Sequence, residues 1–166
     1  TGLIQAQELT IGEAINKAGR QRMLSQKMTK CYMMIGSDVK LEAARKELDG
    51  AVALFEEQFL ELEDFSPSAK VGEKLAEVYD LWMPFRMKVI AQPEVSDAAS
   101  LIDESSILLA KCNEVVIALE EYARVKASRL VNISGRQRML SQRIAMLYLA
   151  YACEVSNCSI FYELLS

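Results

Sequence analysis

The chain has 166 residues, enough for one domain with a sizeable core, and 19 basic against 23 acidic side chains leave a net charge of −4. That mildly acidic balance lacks the basic face that nucleic-acid binding needs, so no nucleic-acid partner is expected. Histidine is absent, which removes histidine general-base chemistry and histidine-ligated metal or haem.

Helical periodicity runs throughout, and only three prolines and seven glycines punctuate it. A first helix is expected over Leu3–Ile35, stopped by Gly36, with Ser37 or Asp38 capping the next. The second carries Leu41, Ala44, Leu48, Ala51, Leu54, Phe55 and Leu62 at core-face spacings. Ser66-Pro67 reads as an N-cap followed by proline at the first helical position, and the third helix continues through Val71, Leu75, Val78, Leu81 and Trp82. Pro84 should kink or split it, and Gln92-Pro93 closes it. Ser96-Asp97 caps a fourth helix with no breaker before Gly135, whose pattern carries on to about Val155. A helix of that length would reach about 80 Å, so a protruding end or a bend near Gly135 is expected. The architecture implied is all-α: a single domain over 1–166, folded as an antiparallel four-helix bundle with a long last helix.

Cys31, Cys112, Cys153 and Cys158 form no CxxC pair and read as small core residues, although an oxidising compartment would permit a disulfide. Neither a metal nor a cofactor is expected. The longest apolar run, Ile144–Cys153, is too short to span a bilayer. The chain is expected to be an excised segment, trimmed of any targeting or membrane portion.

The octapeptide Gly-Arg-Gln-Arg-Met-Leu-Ser-Gln occurs at Gly19–Gln26 and again at Gly135–Gln142, 116 residues on. The similarity extends outward, giving repeat units at 16–28 and 132–144 on the first and last helices: Asn16 matches Asn132, Lys27 matches Arg143, and Tyr32 matches Tyr148. At 100° per residue Arg20 and Arg22 point to opposite sides. Arg22 shares its face with Ile15, Gly19 and Gln26, and Arg138 likewise with Gly135 and Gln142, whereas Arg20 and Arg136 fall on the more polar stripe. A glycine three residues before an arginine lets a second backbone come close, which would place that arginine at a helix–helix seam. A guanidinium there is a planar fork suited to an oxyanion, and two such faces would clamp one from both sides. The competing reading pairs Arg22 and Arg138 with carboxylates of the same bundle, Glu56, Glu57, Glu61, Asp103 or Glu104, and leaves the motif as a packing device. Met23, Leu24, Met28, Met139 and Leu140 read as core. No nucleophile–base pair points to an enzyme.

The motif Asn-x-x-Gly-Arg-Gln-Arg-Met-Leu-Ser-Gln resembles the signature of PilJ-type domains, the N-terminal domains of type IV pilus methyl-accepting chemotaxis transducers. It is also similar to the first-helix ligand box of nitrate/nitrite sensor kinases, roughly Asn-x-Ala-Gly-x-x-Arg-Met-x-Ser. Asn16, Ala18, Gly19, Arg22, Met23 and Ser25 match in the first copy, and Asn132, Gly135, Arg138, Met139 and Ser141 in the second, where Ser134 replaces the alanine. The resemblance implies a periplasmic helical sensory domain for nitrate or nitrite in signal transduction or chemotaxis. It further implies a homodimer with a membrane-anchored signalling partner. Carried over, the ligand-holding residues are Arg22 first and Arg138 second, with the backbone near Gly19 and Gly135 close to the ligand; the shared helix face adds Gln26 and Gln142, one turn on, as further donors. The chain departs from the sensor pattern in carrying the motif twice, and in having Arg20 and Arg136 where that pattern has a small residue.

Overall fold

A computed structural model describes residues 9–123 and 126–152, with side chains throughout except at positions 95 and 126–131. All described secondary structure is helical, in five helices: α1 Ile11–Gly36, α2 Leu41–Phe65, α3 Ala69–Val89, α4 Val95–Ala123 and α5 Lys126–Ala152.

The helix boundaries follow local chemistry more closely than the expected ones. Within the described residues the first helix starts at Ile11, because Thr10 and Glu13 form a reciprocal capping box. The Glu13 carboxylate accepts from the Thr10 backbone N–H at 2.8 Å, and the Thr10 hydroxyl accepts from the Glu13 N–H at 3.3 Å. Helix α1 ends at Gly36, and the chain then passes through left-handed Asp38 and Lys40 (φ 53° and 47°), so α2 begins after Lys40 and not after Ser37 or Asp38. The cap of α3 is Ser68, whose hydroxyl accepts from the Val71 N–H, two residues beyond the expected Ser66. Pro84 does not split α3. Both Pro84 and Asp80, the residue whose carbonyl loses its donor, are exposed, so water can satisfy that carbonyl. The expected long last helix is instead two helices, and Gly135 lies inside the second of them.

Interhelical pairs give the directions. Lys17 pairs with Glu61 at 2.6 Å and Lys30 with Glu47 at 3.0 Å, so α1 and α2 run in opposite senses. The Phe55–Trp82 stack, with centroids 4.1 Å apart, and the Phe59–Tyr79 stack place α3 opposite to α2. Lys70–Glu121, Lys74–Glu114 and Lys88–Glu104 do the same for α3 and α4. Bonds from Arg22 to Asn113 and from Gln26 to Ser105 set α4 against α1. These four helices share one core, in which Leu24, Met28, Phe55, Phe85, Leu108 and Leu119 are almost wholly buried.

Helix α5 doubles back along α4, since Asn132 bonds Glu120 and Met146 lies against Ser105. It therefore runs parallel to α1 and packs along it, with Met146, Leu147 and Ala150 in a second apolar cluster with Met33, Ala98 and Ile102. A four-helix reading would set the two motif helices antiparallel. The extra reversal between α4 and α5 makes them parallel neighbours.

Candidate functional site

The two motif helices meet at their glycines. A Cβ built on Gly135 would stand 3.7 Å from the Gly19 Cα and 2.8 Å from Arg22 Nη2. A side chain at position 135 would therefore collide with the Arg22 guanidinium, whereas a Cβ at position 19 would meet Arg22 Nη2 only at 3.4 Å, an ordinary contact.

Arg22 lies across this crossing and is 1% exposed. Its Nη1 donates to Asn113 Oδ1 and to Asn132 Oδ1, each at 2.7 Å. Its Nη2 donates to the Asn132 carbonyl at 3.2 Å, and its Nε reaches the Gly19 carbonyl at 3.4 Å. All four acceptors are neutral. Of the carboxylates considered as partners, Glu56 pairs with Arg86, Glu61 with Lys17 and Glu104 with Lys88. The acidic group that approaches the guanidinium is Glu120, acting through Asn132, whose Nδ2 donates to Glu120 Oε2 at 3.4 Å. Loss of water pulls the Arg22 pKa below its ordinary value, Cys112 and Glu120 oppose that shift, and Arg136 adds to it. Arginine still remains charged at any physiological pH. The result is a buried cation held by amide and carbonyl dipoles.

The second copy is placed differently. Arg138, expected to point inward like Arg22, is exposed, and its Nη2 donates to Asn16 Oδ1 at 3.4 Å. Exchanging the two copies turns the Arg22–Asn132 contact into the Arg138–Asn16 contact, so a pseudo-twofold axis passes between Gly19 and Gly135. One local bond recurs in both: the hydroxyls of Ser25 and Ser141 donate to the Arg22 and Arg138 carbonyls at 2.9 Å. What differs is the tertiary surroundings, because α4 covers Arg22 and not Arg138. Arg20 is half-buried and Arg136 exposed.

Gln26 is buried, with its amide nitrogen donating to the Ser105 carbonyl at 3.0 Å. Its Oε1, like that of half-buried Gln142, accepts no hydrogen bond among the described residues. The seam thus brings together Gly19, Arg22, Gly135 and Arg138 with Asn16 and Asn132, and Gln26 anchors α1 to α4. Asn113 and Glu120 were not anticipated. Asparagine is a poor helix former, and Asn113 sits beside Cys112, Val115 and Val116 on a largely apolar helix, a signal that a local partner needs it. Cys31 and Cys112 are free and buried, as the core reading of them requires, and burial raises their thiols to about 11 and about 12. Cys153 and Cys158 lie outside the described residues.

The family model for the type IV pili methyl-accepting chemotaxis transducer N-terminal domain, PilJ, matches residues 3–104. That is more than half of the chain, and the chain belongs to this family. The family is a sensory and signalling one, and the match takes in α1 to α3, the first motif copy and the beginning of α4. No curated protein and no solved structure matches the chain. No described helix is long and apolar enough to cross a membrane.

Proposed function

We propose that this domain senses a small oxyanion, nitrate or nitrite, at the seam between α1 and α5. The observation that carries this reading is the Arg22 guanidinium, buried at the crossing of the motif helices and met, among the described residues, by neutral hydrogen-bond acceptors. An oxyanion supplies the negative charge that those acceptors lack, and it suits the planar donor fork. Gly19 and Gly135 keep the backbones close, Arg22 and Arg138 donate from the two sides, and Gln26 and Gln142 lie one turn further along each helix. Bound anion takes over the Nη1 donor now shared by the two asparagines, which changes how α1 is held against α5. Binding energy available in one arrangement alone shifts the population toward it. In this reading the domain works in the periplasm as a homodimer and passes the change to a membrane-anchored signalling partner.

The test is thermal unfolding against nitrate, nitrite and sulfate. An anion at a hundredfold excess over its Kd adds about 2.7 kcal/mol of stability, and Arg22→Ala removes that shift. A melting temperature unmoved by every anion refutes the proposal. A second reading, in which the motif is a helix-packing device within an interaction bundle, draws support from the four internal acceptors that already occupy Arg22. It requires Arg22→Ala to destabilise the chain equally with and without anion.

A further inference from the structure

The repeat has an outer face that the anion site does not use. In α1, Gln21, Leu24, Ser25, Met28, Tyr32 and Ile35 face the four-helix core, and none is more than 8% exposed. At 116 residues further on stand Gln137, Leu140, Ser141, Ile144, Tyr148 and Tyr151, and all six are exposed. Ile144 is 67% exposed, and Tyr148 and Tyr151 are each 69% exposed. Four of the six residues are identical between the copies, and the other two exchange one apolar or aromatic side chain for another. A helix that only buttressed α1 would carry polar residues on its outer side. The outer side of α5 instead carries the core pattern of α1, including the glutamine whose counterpart, Gln21, donates to the Phe55 carbonyl of α2.

We propose that this face of α5 is the inner wall of a second four-helix bundle, and that its occupant is a three-helix segment patterned like Leu41–Ala123. The occupant follows from the correspondence itself, since the face of α1 with the same residues is covered by α2 and α4 around the shared core. The exposure of Arg138 has the same origin. Arg22 is closed off by Asn113 of α4, and the helix equivalent to α4 in the second bundle closes Arg138 in the same way. Helices α1 and α5 then become the paired first helices of two bundles, back to back across the pseudo-twofold axis. This inference is independent of whether an anion binds between them.

The experiment appends a copy of residues 37–123 directly after Ala152, in place of residues 153–166, so that it follows α5 at the spacing at which it follows α1. The expected result is that the added segment is helical by circular dichroism. Hydroxyl-radical labelling of Tyr148 and Tyr151 falls severalfold relative to the 166-residue chain. Ile144→Asp in the fusion restores the labelling and removes the added helicity, whereas in the 166-residue chain it leaves the melting temperature unchanged. An added segment that stays unfolded, or that folds regardless of Ile144→Asp, overturns the proposal. So does a 166-residue chain that sediments as a dimer and becomes monomeric with Ile144→Asp, which would assign the face to a second copy.

Discussion

Gly135→Ala tests the seam directly. In an exposed helix interior this exchange stabilises by about 0.5–1 kcal/mol, because alanine loses less backbone freedom. At position 135 the new methyl would stand 2.8 Å from Arg22 Nη2. A flexible arginine tip would move aside, but this one is fixed by Asn113 and Asn132. Displacing it forfeits the Nη2 bond to the Asn132 carbonyl, and a hydrogen bond from a charged group contributes about 1.5–3 kcal/mol. The net expectation is a loss of about 1–2 kcal/mol, a few degrees in Tm for a chain of this size. Two controls surround it. Gly50→Ala meets nothing within 4 Å and should gain the full propensity term, and Gly19→Ala meets Arg22 Nη2 only at 3.4 Å and should be near neutral. Urea unfolding of the three variants gives the order. A Gly135→Ala chain stabilised as much as Gly50→Ala would refute the close approach of α1 and α5.

The arginines of the repeat should separate in the same assay. Arg22→Ala strands the Asn113 and Asn132 acceptors and should cost about 3 kcal/mol, whereas exposed Arg138→Ala should stay within about 0.5 kcal/mol of the parent. Iodoacetamide at pH 8 should label neither Cys31 nor Cys112 until urea is added, because burial holds their thiols at about 11 and about 12; peptide mapping by mass spectrometry reads this out. Glu77 and Glu114 are held below the ordinary 4.5 by hydrogen bonds, chiefly from Lys111 to Glu77 and from Lys74 to Glu114. Their contribution is complete above the unfolded pKa and is lost as pH falls through the lowered folded values, so the urea midpoint should drop on the acid side of 4.5 and Glu77→Gln should flatten that drop. Thr10→Ala should cost about 1 kcal/mol by opening the α1 capping box, measured as the same midpoint at neutral pH.

The inward face of α1 was legible because a helix repeats every 3.6 residues, so Ile15, Gly19, Arg22 and Gln26 had to share a side. The fate of Arg138 was not legible, since both arginines sit within the same eight-residue sequence and only tertiary packing tells them apart. The reversal of direction from α4 to α5 was equally hidden. Neither glycine nor proline separates Ala123 from Lys126, and the one glycine that suggested a bend, Gly135, serves close approach instead. Thr10-x-x-Glu13 was a readable start signal that the apolar pattern before it obscured. The partners of Arg22 depended on α4 lying antiparallel to α1, which brings Asn113 level with a residue 91 positions earlier.

Because α1 and α5 are parallel, Ile11 and Ala152 lie at opposite ends of the paired helices, about 40 Å apart for helices of this length. A pull between those two points loads the α1–α5 contact in shear. The glycine crossing, the Arg22–Asn132 bonds and the Met146 cluster then share the force at once and do not peel open in turn. An antiparallel pair would have placed the same two points at one end and unzipped. The extra helix reversal thus turns a surface contact into a mechanical coupling along the axis of the domain.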